Sequence, residues 1–163
     1  MSNLMPLVTL VIISCSNMTH DEAIEWYRTN KSLLNEVVVI VENNPPIRLI
    51  GSPLKVKDLA KYGSYSKDNY EAHERLEVMR SEGGIESIQV SRSNESHNLQ
   101  SIRFLLDRSG IFNFPKGYFI CIAYIPDKQS VDIFKARGYN VYSLSEDDWY
   151  VMNNDDILDK PKQ

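Results

Sequence analysis

The chain has 163 residues and a mass of 18.8 kDa, which is the size of about one domain. Hydrophobic residues make up 42% and charged residues 25% of it, proportions that exclude a wholly disordered chain, a coiled-coil rod and a collagen-like fibre. The net charge of −4 argues against a dedicated nucleic-acid binder, and two cysteines are too few for a disulfide scaffold or a structural zinc site.

The first fifteen residues form the least ordinary segment. Residues 4–13 are apolar except for Pro6 and Thr9, and the chain contains no Asp, Glu, Lys or Arg before position 21. A membrane-spanning helix needs about 20 apolar residues, so this run is too short to be one. Its length is typical of the apolar part of a secretory signal, which is about 7–15 residues. Such signals ordinarily open with Lys or Arg, whereas here only the α-amino group of Met1 supplies positive charge.

The run ends in the sequence IISC, residues 12–15. This segment resembles the lipobox of bacterial lipoproteins, in which the signal is cleaved just before the cysteine. The resemblance implies that residues 1–14 are a signal peptide and that Cys15 becomes the lipidated first residue. Each buried methylene of its acyl chains (palmitate, for example) contributes about 0.8 kcal/mol, and two or more chains anchor a protein stably. Ser16 resembles the residue that directs lipoproteins to the outer membrane, which implies a location in the bacterial cell envelope, at the outer membrane or the periplasmic face.

The same segment has a second interpretation. Residues 7–14 are rich in Val, Ile and Leu, as fully buried strands are. In that case Cys15 is a small core residue, the protein is a soluble cytoplasmic module, and residues 7–14 are required for folding. Both interpretations stay open on the sequence alone.

Two helices are predicted after this segment. Thr19 and Glu22 have the spacing of a capping box, and apolar residues then recur at steps of three and four to about Glu42, where Pro45 and Pro46 follow. The second helix is predicted from Asp68 to Ser81, with two glycines behind it as a helix stop.

From Ile85 onwards the apolar pattern has a period of two, which predicts strands. The strand candidates lie at 85–92, 102–107, 118–125, 139–144 and 149–152. The sequence therefore predicts an α+β fold in which two N-terminal helices pack on a mostly antiparallel sheet of four or five strands. Residues 15–163 are predicted to be one domain with a polar tail from about residue 153.

No motif predicts catalysis, a metal site or a cofactor. None of the three histidines has a His or Cys at metal-ligand spacing. The glutamates around His73 alternate with arginines, as on a solvated helix face. A small hydrolase or transferase would need His73 with Glu77, or Cys121, as its reactive groups. Cys121 lies in an apolar run and is more simply a buried thiol.

Aromatic residues form two groups, and aromatics of this kind are enriched at protein interfaces. We predict a partner-binding surface from the following residues: Tyr62, Tyr65, Tyr70, Tyr142, Trp149 and Tyr150. In the alternative, structural interpretation, half of the aromatic residues in each group cover one face of the sheet.

The segments GI at 110–111, KGY at 116–118, YSL at 142–144 and DWYV at 148–151 resemble those of small, uncharacterised bacterial envelope lipoproteins. With the lipobox, this resemblance implies a non-enzymatic envelope lipoprotein that binds a protein partner, an immunity or inhibitor protein being one function of this kind. Negative charge would favour encounter with a basic toxin. The alternatives are the soluble cytoplasmic binding or toxin-neutralising module and the small enzyme; the oligomeric state is left open.

Overall fold

The computed structural model describes residues 18–51, 67–93, 97–109, 118–144 and 148–154. Three helices and six strands lie within these ranges. In chain order they are α1 (His20–Asn43), β1 (Leu49–Ile50), α2 (Lys67–Glu82), β2 (Ser87–Arg92), β3 (Leu99–Ser109), β4 (Tyr118–Tyr124), α3 (Lys128–Ala136), β5 (Asn140–Ser143) and β6 (Trp149–Asn153).

The six strands form one sheet in the order β1-β2-β3-β4-β6-β5, and all neighbouring pairs are antiparallel. Strand β6 is antiparallel to both β4 and β5, so β4 and β5 run in the same direction. Strands that run in the same direction need a long crossover, usually a helix. Helix α3 lies in that crossover and packs on one face of the sheet.

Helices α1 and α2 cover the other face of the sheet. The capping box at Thr19 starts α1: the Thr19 side chain accepts a hydrogen bond from the Glu22 amide, and the Glu22 carboxylate accepts one from the Thr19 amide. The apolar stripe of α1, including Leu34 and Val37, is buried against strand residues such as Phe104. Full burial of one such side chain stabilises the fold by about 1.5–3 kcal/mol.

The second core lies between α3 and the strands β4 and β6. Val131 and Phe134 of α3 pack there with Cys121, Ala123 and Met152. Along β4 the even-numbered Ile120 and Ile122 belong to the first core, whereas Cys121 and Ala123 belong to the second. Both faces of β4 are therefore buried, which is why its sequence is a continuous apolar run and not an alternating one.

The start of α1 is tied to the middle of the sheet. A β-bulge lies between Leu105 and Asp107 in β3. Because of the extra residue, the side chain of Asp107 points to the face of the sheet that α1 covers. The Asp107 carboxylate then accepts a hydrogen bond from the Met18 amide at 2.7 Å, and the Tyr118 hydroxyl donates to the Met18 carbonyl. These two hydrogen bonds attach Met18, just before α1, to strands β3 and β4.

The prediction of two helices on a sheet of four or five strands is wrong, because the described residues contain three helices and six strands. The polar connection after β4 indicates at most a single helical turn, and alternation in the strands suggests a sheet with one solvated face. The structure instead has the nine-residue helix α3 in that connection, and it covers the β4–β6 half of the second face. The fold is α+β with helices on both faces of a six-stranded antiparallel sheet.

Candidate functional site

Several predicted site residues lie outside the described residues. These are Cys15, with the predicted signal peptide 1–14, and the two aromatics Tyr62 and Tyr65. The first described residue, Met18, follows Cys15 by three positions. A lipid on Cys15 would therefore be attached close to the N-terminal end of α1.

Trp149 and Tyr150 are core residues. Trp149 is 4% exposed and lies against Tyr27, Phe104 and Tyr124, with ring centroids 5.5, 6.0 and 5.2 Å away respectively. Tyr150 is buried in the second core, and its hydroxyl accepts a hydrogen bond from Lys128 Nζ. Neither ring presents an open surface to a partner, so these two aromatics match the structural alternative in which they close the sheet.

Tyr142 and Tyr70 are the more accessible members of the predicted set. Tyr142 lies on the edge strand β5, is 46% exposed and makes an edge-to-face contact with His20 at 4.8 Å. Tyr70 is half-buried in the first turn of α2. They lie on different elements, α2 and β5.

His73 and Glu77 do not form a hydrogen-bonded acid–base pair. His73 Nε2 and Glu77 Oε1 are 3.8 Å apart, longer than a hydrogen bond. The Glu77 carboxylate already accepts hydrogen bonds from the Gly51 amide and from Arg80 Nε, both at 2.8 Å. Burial lowers the pKa of His73, against the opposing effect of the charges on Glu77 and Glu74. The cluster joins α2 to the residue after β1, which is a structural role.

Cys121 has the environment of an inert thiol. It is 2% exposed in the second core, and burial raises its pKa to about 12, although the Arg103 charge acts in the opposite direction. Because the thiolate is the nucleophilic form, this thiol is protonated and unreactive at neutral pH. The described residues also contain no group of three or more His, Cys, Asp or Glu side chains placed to hold a metal ion.

The outer surface of the α1–α2 pair is strongly acidic. Among the described side chains of these two helices, nine acidic residues are exposed: Asp21, Glu22, Glu25, Glu36, Glu42, Asp68, Glu71, Glu74 and Glu82. Two arginines are exposed beside them, Arg28 and Arg75. We call this surface the acidic face. In the sequence, the alternating charges look like those of any solvated helix face. The excess of acidic over basic residues becomes apparent only when the exposed charges of each helix are counted.

The acidic face has exposed apolar residues at its centre. The helices are antiparallel, with Trp26 Nε1 donating to the Gly83 carbonyl at one end and Asn69 donating to Asn44 at the other. Between these contacts Arg75 of α2 forms an ion pair with Glu36 of α1.

Val39 and Val78, each 55% exposed, follow the two members of this ion pair by three residues. Residues three apart share one side of a helix. Because the helices are antiparallel, the two valines lie on opposite sides of the ion pair. Exposed apolar groups surrounded by charge are the arrangement of many protein–protein interfaces.

The opposite face of the molecule differs in charge. Helix α3 and its C-cap expose three basic residues, Lys128, Lys135 and Arg137, and one acidic residue, Asp132. Lys128 is ion-paired with Asp148, so within the described part of the chain the α3 layer has only a small excess of positive charge. The net charge of −4 for the whole chain conceals this difference between the two faces.

No protein-family model, no curated protein and no solved structure matches the chain. Among the described helices, none is both long enough and apolar enough to cross a membrane.

Proposed function

We propose that this chain is a non-enzymatic envelope lipoprotein that binds a basic protein partner through the acidic face of α1 and α2. That face exposes nine acidic and two basic residues. This excess of negative charge is the main support for the binding proposal. An immunity or inhibitor protein that neutralises a basic toxin is a function of this class.

Charge complementarity decides the kind of partner. A surface with this excess of carboxylates attracts a cationic surface over about a Debye length, roughly 8–10 Å at physiological salt, and accelerates encounter with it. It repels an acidic surface to a similar degree. A basic protein is therefore the occupant that fits, and its binding should weaken as salt concentration rises.

The exposed valines would supply the apolar contact area of the interface. Val39 and Val78 are more than half exposed, and their burial by a partner would contribute roughly 1–2 kcal/mol each. The Glu36–Arg75 ion pair lies between them and links the two helices. Carboxylates then form the rim around a small apolar centre.

The lipid anchor is supported by the lipobox-like IISC at 12–15. Metabolic labelling with radioactive palmitate tests it in a bacterial host that expresses the wild type and Cys15→Ala. We expect label on the wild type alone. Equal labelling of both proteins, or of neither, removes the anchor and leaves the soluble binding module.

Site-specific photo-crosslinking tests the binding surface in the same host. A benzophenone amino acid replaces Val39 or Val78 on the acidic face, and Ile133 on α3 is the matched control because it is also apolar and 47% exposed. We expect adducts with one basic protein from positions 39 and 78 and none with it from position 133. Adducts equally frequent at position 133, adducts with an acidic protein, or no adducts contradict the proposal.

The crosslinked partner is then purified and titrated against wild type, Glu71→Lys/Glu74→Lys and Asp132→Lys. Reversal of two charges on the acidic face should weaken binding by roughly tenfold or more at low salt. Reversal of Asp132 on α3 should leave the affinity almost unchanged. Equal effects of both reversals would show that the partner does not use the acidic face.

A further inference from the structure

One part of the sheet face on the α3 side carries polar side chains. This part consists of β2 and β3, and Arg103 lies in its middle, paired in register with Gln89 of β2 and Ala123 of β4. Arg103 Nη2 donates a hydrogen bond to Gln89 Oε1 at 2.8 Å. Its guanidinium carbon is 5.6 Å from the centroid of the Phe134 ring, so α3 supports the guanidinium from one side.

Arg103 has no anionic partner among the described residues. No acidic side chain in the described part of the chain forms an ion pair with it. Its Nε atom is buried and has no hydrogen-bond partner there. A half-buried positive charge with an unsatisfied N–H is an unusual arrangement, because buried polar groups are normally hydrogen-bonded and buried charges are paired.

A second unsatisfied donor lies two residues away on the same strand face. Ser101 is 0% exposed and its hydroxyl has no hydrogen-bond partner among the described groups. Residues i and i+2 of a strand point to the same side and are separated by about 6.6 Å along it. Because Ser101 has no exposed surface, its hydroxyl lies beneath this face, and an anion from solution would meet the half-buried Arg103 guanidinium instead.

We propose that Arg103, held by Gln89 and Phe134, forms a binding site for an oxyanion, either a carboxylate or a phosphate. The guanidinium supplies N–H donors in a planar arrangement that matches two oxygens of such a group. Gln89 and Phe134 fix the orientation of the guanidinium. The site lies on the face of the sheet opposite the acidic face, so it is independent of the proposed partner surface.

Thermal unfolding in the presence of anions tests this site. The wild type, Arg103→Met and Arg137→Met are titrated with sodium phosphate and with sodium acetate, and sodium chloride at equal ionic strength is the reference. Methionine keeps an unbranched apolar side chain and removes the charge. Arg137 is the matched control because it is an exposed arginine on the same side of the sheet.

We expect phosphate or acetate to raise the Tm of the wild type and of Arg137→Met above the chloride reference. For Arg103→Met the apparent affinity should fall by roughly tenfold or more, as for loss of a charge-assisted contact. The stronger of the two anions identifies phosphate or carboxylate as the ligand group. Equal responses of wild type and Arg103→Met, or no response beyond chloride, overturn the proposal.

A second measurement does not depend on the folding of the variant. The Arg103 Nε–H is buried, so its proton should exchange slowly with water and its NMR cross-peak should remain visible. A saturable shift of this cross-peak on addition of phosphate or acetate, absent with chloride, supports the site even if Arg103→Met fails to fold. A cross-peak that does not move with either anion overturns it.

Discussion

Gly51 has a backbone conformation that its position in the fold requires. Its φ is +84°, and a Cβ atom there would lie 2.7 Å from the Glu86 carbonyl oxygen and 2.9 Å from Arg80 Cδ. Its amide also donates to the Glu77 carboxylate. The residue therefore closes the chain against the Glu77–Arg80 cluster, where only a glycine avoids both strain and overlap.

Gly51→Ala should lower the free energy of unfolding by at least the roughly 1–3 kcal/mol of a strained backbone position. Urea unfolding followed by circular dichroism measures the change. Gly84→Ala is the control, since Gly84 also has a positive φ of +66° but a Cβ atom there would meet no atom within 4 Å. If both variants lose the same stability, the close approach at Gly51 has no energetic consequence.

His73 makes stability depend on pH. Its pKa is lowered, first because burial disfavours the charged imidazolium and in spite of the Glu77 and Glu74 charges. A histidine whose folded pKa is below its unfolded value of about 6.5 takes up a proton more readily when unfolded. Its stabilising contribution is therefore complete above about pH 6.5 and is lost as the pH falls through the folded pKa.

Wild-type stability should fall as the pH drops below about 6.5, by at most about 1.4 kcal/mol per pH unit from this one proton. His73→Gln should flatten that part of the curve, as measured by urea unfolding at each pH. His97→Asn, in an exposed turn, is the control and should keep the wild-type slope. A slope unchanged in His73→Gln would assign the pH dependence to other groups.

Among the elements, α1 begins with hydrogen bonds between Thr19 and Glu22 in both directions, and the Glu22 amide donates to the Thr19 hydroxyl oxygen at 3.3 Å. The Thr19 amide and hydroxyl both donate to Glu22 Oε2, at 2.6 and 2.8 Å. These bonds lower the pKa of Glu22, the backbone one most. The contribution of the ionised carboxylate is present above its ordinary pKa and lost as the pH falls through the lowered value.

Thr19→Ala should cost about 1 kcal/mol of unfolding free energy at pH 7, because a helix N–H loses its side-chain acceptor. Thr29→Ala is the matched control: the Thr29 hydroxyl donates to the Glu25 carbonyl within α1, and its removal should change stability by less than about 0.5 kcal/mol. Chemical unfolding measures both. Equal losses would mean that the cap adds nothing to an ordinary threonine of this helix.

The ends of α1 could be predicted because local signals determine them. The capping residue Thr19 and the prolines after Asn44 are readable within one turn of the helix, and the observed helix is His20–Asn43. Strand β4 shows the opposite situation. Its apolar run predicts a strand, but only the packed α3 shows that both of its faces are buried.

At the scale of the whole molecule, the sheet separates an acidic helical layer from one that has a small excess of exposed basic residues. Exposed carboxylates dominate α1 and α2, and exposed Lys and Arg dominate α3 within the described residues. A partner or a charged surface approaching the protein is therefore oriented by it as well as attracted.

The two interpretations of residues 1–14 predict different effects of truncation on the whole domain. If they are a signal peptide, a chain that begins at Ser16 should unfold within about 2 °C of the full-length chain, because it keeps the Met18 hydrogen bonds and the capping box. A chain that begins at His20 loses these contacts and should melt several degrees lower, at about 2–4 °C per kcal/mol. Loss of cooperative unfolding already at Ser16 would make residues 7–14 part of the core.

The candidate site could be predicted less well than the helices. Trp149 and Tyr150 occupy successive positions of β6, so they point to opposite faces of the sheet. With one solvated face, as the sequence suggests, one of the two rings would be exposed. Since α1 covers one face and α3 the other, both rings are buried.

The local pattern of residues by itself determined where α1 starts and stops and which segments alternate as strands, because capping, periodicity and proline act over a few neighbouring positions. Only the tertiary structure decided that β6 inserts between β4 and β5, that α3 covers the second face, and that Arg103 lies beside Gln89 and Phe134. These pairings join residues far apart in the chain, and their free energy comes from surfaces that meet only when the sheet has assembled.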